Sequence, residues 1–208
     1  MKSRRAIRSS KAAPRFNGAA VAVCAGLLAV LSASAIWFFY SRGWLLYFGD
    51  AEAHLNIARR ITDSQTPGYD QLGTYWLPLT HVLMLPFARV DEWWCRGIAA
   101  SFAPGICFVI GGTFLFAAAR RILGSTPAAA AAAALTALNP NLLYLQSTAM
   151  TEAVFFAAGK SAAMVLTGVF VLINSPCGLG GVWLCGWGCE WVVVQSRWSI
   201  VESSSLTE

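Results

Sequence analysis

The apolar positions of this chain fall into long blocks, not into the alternation of strands or the single stripe of a surface helix. Gly18 to Tyr40, GAAVAVCAGLLAVLSASAIWFFY, is uncharged throughout, and as a helix it would rise roughly 34 Å, enough to cross a hydrocarbon core of about 30 Å. Gly97 to Ala119 and Ala153 to Ile173 form blocks of similar length. Pro127 to about Ser147 opens with PAAAAAAALTAL; alanine is the best helix former and lets neighbouring helices approach closely, so this run reads as a further span. Trp76 to Ala88, WLPLTHVLMLPFA, is too short to cross and is expected to lie in the interface or to re-enter. The pattern predicts an all-α polytopic membrane helix bundle. It has about four transmembrane helices, near 18–40, 97–119, 127–147 and 153–173, and an external loop, 41–96, carrying interfacial helices.

Two polar regions interrupt the apolar blocks. Tyr47 to Leu79 holds six charged residues and one of the two histidines; the second region, NPNLLYLQSTAMTE, brings Asn139, Asn141, Gln146, Ser147, Thr148, Thr151 and Glu152. Pro140 is expected to kink or loosen the helix end there. The basic residues set the orientation. MKSRRAIRSSKAAPR carries six of the fifteen lysines and arginines, which holds residues 1–17 in the cytoplasm and puts Ser41 outside. If Trp76–Ala88 does not cross, the next span ends on Arg120 and Arg121 at the cytoplasmic side, where the positive-inside rule wants them. Both polar regions then face outward and can meet. The rival reading of the first block is a cleaved signal peptide, since Ala33-Ser34-Ala35 has the small-x-small form. Against it, Ile36, Trp37, Phe38, Phe39 and Tyr40 continue the apolar run and form an aromatic belt.

Composition agrees with a membrane protein: 57% of residues are hydrophobic and 12% charged, with a mean hydropathy of +0.57. The net charge of +5 does not point to nucleic acid, because the basic cluster lacks aromatic interleaving and the remaining cations are scattered. Cys24, Cys95, Cys107, Cys177, Cys185 and Cys189 show no CxxC or Cys/His spacing, so neither a disulfide framework nor a zinc site is expected. Past Asn174 the sequence changes character: residues 174–208 pack three of six cysteines and four of nine tryptophans, without an amphipathic period or a full-length span. This atypical tail reads as an out-of-frame or truncated end, or as a short interfacial hairpin.

In the first polar region a helix opening at Asp50 would place Asp50, His54, Ile57 and Ile61 on one stripe and Glu52, Asn56, Arg59 and Asp63 on another. Ala51, Leu55 and Ala58 would form a third, mainly apolar stripe. Two readings of the carboxylates stand side by side: helix-start chemistry, because Asp is a favoured N-cap and Glu suits a first turn, or acidic groups offered to a cavity.

The order of GDAEAHLNIARR, PGYDQLGTYWLPL and NPNLLYLQSTAMTE resembles the GT-C membrane glycosyltransferases, closest to the bacterial protein-mannosyltransferase and aminoarabinose-transferase type, over about Tyr40 to Ile173. The resemblance implies a glycosyltransferase of the inner (plasma) membrane, moving a sugar from a polyprenyl-phosphate-linked donor to an acceptor on the outer face. No G-x-G-x-x-G loop is present, and no nucleotide cofactor is expected. The resemblance implies Asp50 as general base and Glu52 as its helper. Glu152 corresponds to the family's second acidic position, and a divalent cation, used by some relatives, would fall to Asp50 and Glu152 or to Glu52. His54 would bind substrate or pack neutrally. Arg59 and Arg60 would face the leaving phosphate or snorkel to lipid headgroups. Lys160, deeper in the last span, would contact lipid phosphate or mark a frame break. Family members carry more spans than four, so the chain corresponds to their N-terminal part. The alternative is a non-enzymatic membrane assembly or transport subunit; a transporter, however, places its polar groups near midplane on broken helices.

Overall fold

The computed structural model describes residues 18–72 and 76–174, with side chains through 166. The basic N-terminus and the atypical tail lie outside the described residues. The chain divides into two compact units, Met1–Val169 and Phe170–Glu208; of the second, the described residues include only the end of one helix. Among the described residues every regular element is helical. They are α1 (Gly18–Ser41), α2 (Gly49–Asp63), a 3-10 turn (Tyr69–Leu72), α3 (Pro78–Ala88) and α4 (Asp91–Cys95), then α5 (Ala99–Leu123), α6 (Thr126–Ala137), α7 (Pro140–Leu145) and α8 (Glu152–Asn174).

Two of these helices, α1 and α5, are long and apolar enough to cross a membrane. In α5 the helix runs through Arg120 and Arg121, which complement the negative end of its dipole, and stops at Gly124, whose φ of 62° is left-handed. The third expected span is interrupted. Residues 127–147 do not form one helix: α6 ends at Ala137 after twelve residues, and α7 restarts at Pro140. Pro140 cannot donate to a continuing ladder, whereas at the first position of a new helix its missing N–H costs nothing. Asn139 then caps that new helix, its Oδ1 accepting from the backbone N–H groups of Asn141 and Leu142 at 3.0 and 3.4 Å.

Close approach around α5 depends on glycine. A Cβ on Gly112 would lie 2.8 Å from Leu28 Cδ1 of α1, and one on Gly111 would lie 2.5 Å from Phe156 and 3.0 Å from the Ala157 Cα of α8. Gly105 faces Ile36 and Ser32 of α1 in the same way. Small residues of this kind let helix backbones approach closely. A buried polar relay adds to the packing. Ser32 of α1 donates to Gln146 Oε1 at 2.7 Å, Gln146 Nε2 donates to Ser147 Oγ at 2.8 Å, and Ser101 of α5 donates to the Ser147 carbonyl at 2.6 Å. The polar stretch after α7 is therefore tied to α1 and α5 by its own side chains.

Candidate functional site

The amphipathic helix expected over the first polar region is α2. Ala51, Leu55 and Ala58 are buried, as their stripe predicts, and pack with Met84 and Ala88 of α3, Ala99, Ala100 and Ala103 of α5, and Ala149. His54 and Ile61 share the buried face. Mostly alanine contacts let α2, α3 and α5 lie close, and Ala149, with Met150 packed against the same cluster, brings the chain up to α8 beside them. Tyr144 fixes the adjoining end. Its ring meets Phe39 of α1 at 4.9 Å and Phe48, just before α2, at 5.7 Å, and its hydroxyl donates to the Trp44 carbonyl at 3.1 Å.

Asp50 and Glu52 stand exposed in the first turn of α2. The N-cap is Phe48, with no side-chain cap bond, so Asp50 is not the capping residue; a charge–dipole role in the first turn stays open to both carboxylates. Glu152 is exposed in the first turn of α8. Although about a hundred residues separate them in the sequence, Asp50 and Glu152 converge on one group: both carboxylates act on His54 and favour its protonated form. Burial opposes them and wins, holding the His54 imidazole below the ordinary histidine value.

His54 has a partner that the pattern of the sequence did not single out. Its Nδ1 lies 2.8 Å from Nε2 of His81 on α3, and Trp76 packs against its ring at a centroid distance of 4.7 Å. His54 is 3% and His81 0% exposed. Burial, reinforced by the neighbouring His54 and opposed by the Leu77 carbonyl, pushes His81 down to about 4, so both rings are neutral at pH 7. The signal in the sequence was the other histidine of the chain, set in the apolar WLPLTHVLMLPFA run where a polar ring demands a partner.

The arginines are placed differently. Arg59 Nη1 donates to the Ala88 carbonyl at 2.7 Å, its other nitrogens pair with Asp63 and Asp91, and its guanidinium sits 5.2 Å from the Trp94 ring. It clamps α2 to the ends of α3 and α4, leaving its guanidinium committed to protein partners. Arg60 is exposed and contacts Gln71 at 3.3 Å. Nine and ten residues of helix put both roughly 13–15 Å along the axis from Asp50, so the structure does not gather the arginines with the carboxylates. Lys160 lies 5.7 Å from the Phe156 ring. Arg59→Ala is expected to lower stability by about 1–3 kcal/mol, and Arg59→Lys to recover little of it, since an ammonium cannot serve three acceptors in a fixed fork. Thermal unfolding in detergent checks this; a phosphate-contact role would instead leave the melting temperature unchanged and weaken donor binding.

As to metal, the described residues hold no group of three or more His, Cys, Asp or Glu side chains placed to bind an ion. His54 and His81 also face each other at hydrogen-bonding distance without a gap between them. Comparison of the chain with protein-family models, curated proteins and solved structures finds no significant match.

Proposed function

We propose that the chain is a membrane glycosyltransferase of the GT-C kind, or the part of one that carries its catalytic carboxylates, acting on a polyprenyl-phosphate-linked sugar at the outer face of the plasma membrane. The support for the reading is that α2 and α8 each open on an exposed carboxylate, Asp50 and Glu152, beside the buried His54 of α2 on which both charges act. They sit at one end of a bundle whose α1 and α5 are of membrane-crossing length. In the proposed topology α1, α5, the broken α6–α7 unit and α8 make four passes, with the N-terminus inside.

Asp50, exposed and oxygen-bearing, takes the proton of the acceptor hydroxyl as that oxygen attacks the anomeric carbon; the bond from that carbon to the phosphate oxygen breaks, and the lipid phosphate leaves. Glu152 holds the sugar or acceptor hydroxyls from the opposite element, with Glu52 beside the base on the first turn of α2. Arg60, remote from Asp50, is left to phosphates of the surrounding lipid leaflet.

The test is transfer of radiolabelled sugar in proteoliposomes supplied with a panel of polyprenyl-phosphate hexoses and pentoses. Labelled product that requires the lipid-linked donor supports the reading. Correctly inserted chain that neither binds nor consumes any of these donors overturns it.

A further inference from the structure

We propose that the groove between α1 and α6 holds one hydrocarbon chain of an anionic phospholipid from the cytoplasmic leaflet, and that Arg120 and Arg121 meet the lipid phosphate at its mouth. The site is separate from sugar transfer and rests only on the orientation given above, with the N-terminus inside.

The shape comes from the break in the third apolar block. α6 stops at Ala137 after twelve residues, so beside the full-length α1 it walls a cleft only part of the way up. That cleft has a volume of about 470 Å³ and runs along α1 from Ala20 to Leu31, with Ala130 and Ala134 of α6 opposite and Phe116 of α5 behind. Eleven residues of helix rise roughly 16 Å, about half of a hydrocarbon core of about 30 Å. Leu28, Phe108 and Ala137, with Leu142 and Leu143, pack around its deep end. Apart from Cys24 and Thr126 the lining side chains are hydrocarbon. Val23 and Leu27 in the wall are 63% and 68% exposed, so the cleft opens sideways, to lipid in the proposed topology. A slot one leaflet deep fits an acyl chain and is too short for another spanning helix.

Charge selects the head group. Phe116 lines the groove, and the Arg120 guanidinium lies 5.8 Å from its ring; Arg121 follows in the last turn of α5. On the same side six lysines and arginines directly precede α1, and residues 1–49 and 93–151 contain no Asp or Glu. The tail adds Arg197 and three glutamates, Glu190, Glu202 and Glu208, which leaves cations in excess. A second copy inserted in the same direction would set its own cations against these, and the polyprenyl-phosphate donor belongs to the opposite face. A phosphate-bearing lipid of the inner leaflet answers both the slot and the charge, as in other basic pockets between spans on the cytoplasmic side.

The test titrates the delipidated chain in detergent with dioleoyl phosphatidylglycerol and with dioleoyl phosphatidylcholine, and reads bound lipid by native mass spectrometry. The expected result is phosphatidylglycerol held about tenfold more tightly, the scale of one to two arginines beside an anionic head group. Arg120→Gln combined with Arg121→Gln should abolish the preference. Ala134→Phe, which fills the cleft from an exposed wall, should remove bound lipid of either kind, and keeps the proposal testable if the arginine variant folds poorly. Equal retention of both lipids by the native chain, a preference that survives the arginine changes, or lipid that stays after Ala134→Phe overturns the proposal. So does self-association through this face, or polyprenyl phosphate displacing phosphatidylglycerol from it. Ile122→Cys, exposed beside the arginine pair, should react with a membrane-impermeant maleimide only from the cytoplasmic side; labelling of intact cells above that of the native chain overturns the leaflet assignment. Sugar transfer is a separate readout. Lipid preference without transfer sinks the functional reading alone, and transfer without lipid preference sinks the lipid site alone.

Discussion

Asp50→Asn is expected to slow sugar transfer about 10²–10⁴-fold, the usual worth of a positioned proton acceptor, which corresponds to about 2.7–5.4 kcal/mol of barrier. Asn keeps the shape of the side chain and removes only its basicity and charge. The folding cost is expected to be far smaller. Asp50 is exposed and is not the cap of α2, so its replacement removes at most a first-turn charge–dipole contribution of about 0.3–1 kcal/mol. Glu152→Gln is the parallel change at the start of α8, again at an exposed position. Each substitution should also lower the pKa of His54, because each removes one of the two charges that raise it, and the histidine NMR signal reports this independently of turnover. The measurement is the transfer rate at saturating donor, normalised to correctly inserted chain. Full activity in both variants would remove these residues from the site.

How much of this was legible beforehand differs by element. α1 and α5 were written in uninterrupted apolar runs, and the buried stripe of α2 in the spacing of Ala51, Leu55 and Ala58, because helical periodicity is a local property of the chain. The break between α6 and α7 was only half legible. Pro140 announced a disturbance, but whether a proline kinks a helix or ends it depends on a local competitor, here the Asn139 cap with its bonds to Asn141 and Leu142. Arg59 shows the limit most plainly. Its pairing with Asp63 is an i, i+4 contact that any helical reading exposes, whereas its bonds to Asp91 and to the Ala88 carbonyl need the fold of α3 and α4. The pairing of His54 with His81 was hidden for the same reason: no periodicity relates positions 54 and 81, and only the docking of α3 against α2 joins them. The approach of Glu152 to the α2 site followed from a topological argument about which loops share a face, not from any motif.

Acidification is expected to destabilise the chain through the same histidine pair. His81 binds its proton near pH 4 in the folded chain, against an ordinary value of 6.5. Between those values the unfolded chain holds more protons, so stability rises with pH across that window. The contribution of His81 is fully present above about pH 6.5 and is lost as pH falls towards 4, a change on the order of 3 kcal/mol. His54 adds a change of the same sign, since burial lowers it too, moderated by Asp50 and Glu152. Other groups also titrate in acid, so the decisive quantity is a difference of differences. Thermal unfolding in detergent is measured at pH 7.5 and 4.5 for the native chain and for His81→Phe. The native melting temperature should drop more steeply, because the Phe variant has no buried imidazole at position 81 to protonate and leaves only His54 from the pair. Equal drops in the two chains would mean that His81 takes up its proton without unfolding cost, and a buried neutral pair would then be the wrong description of the contact between α2 and α3.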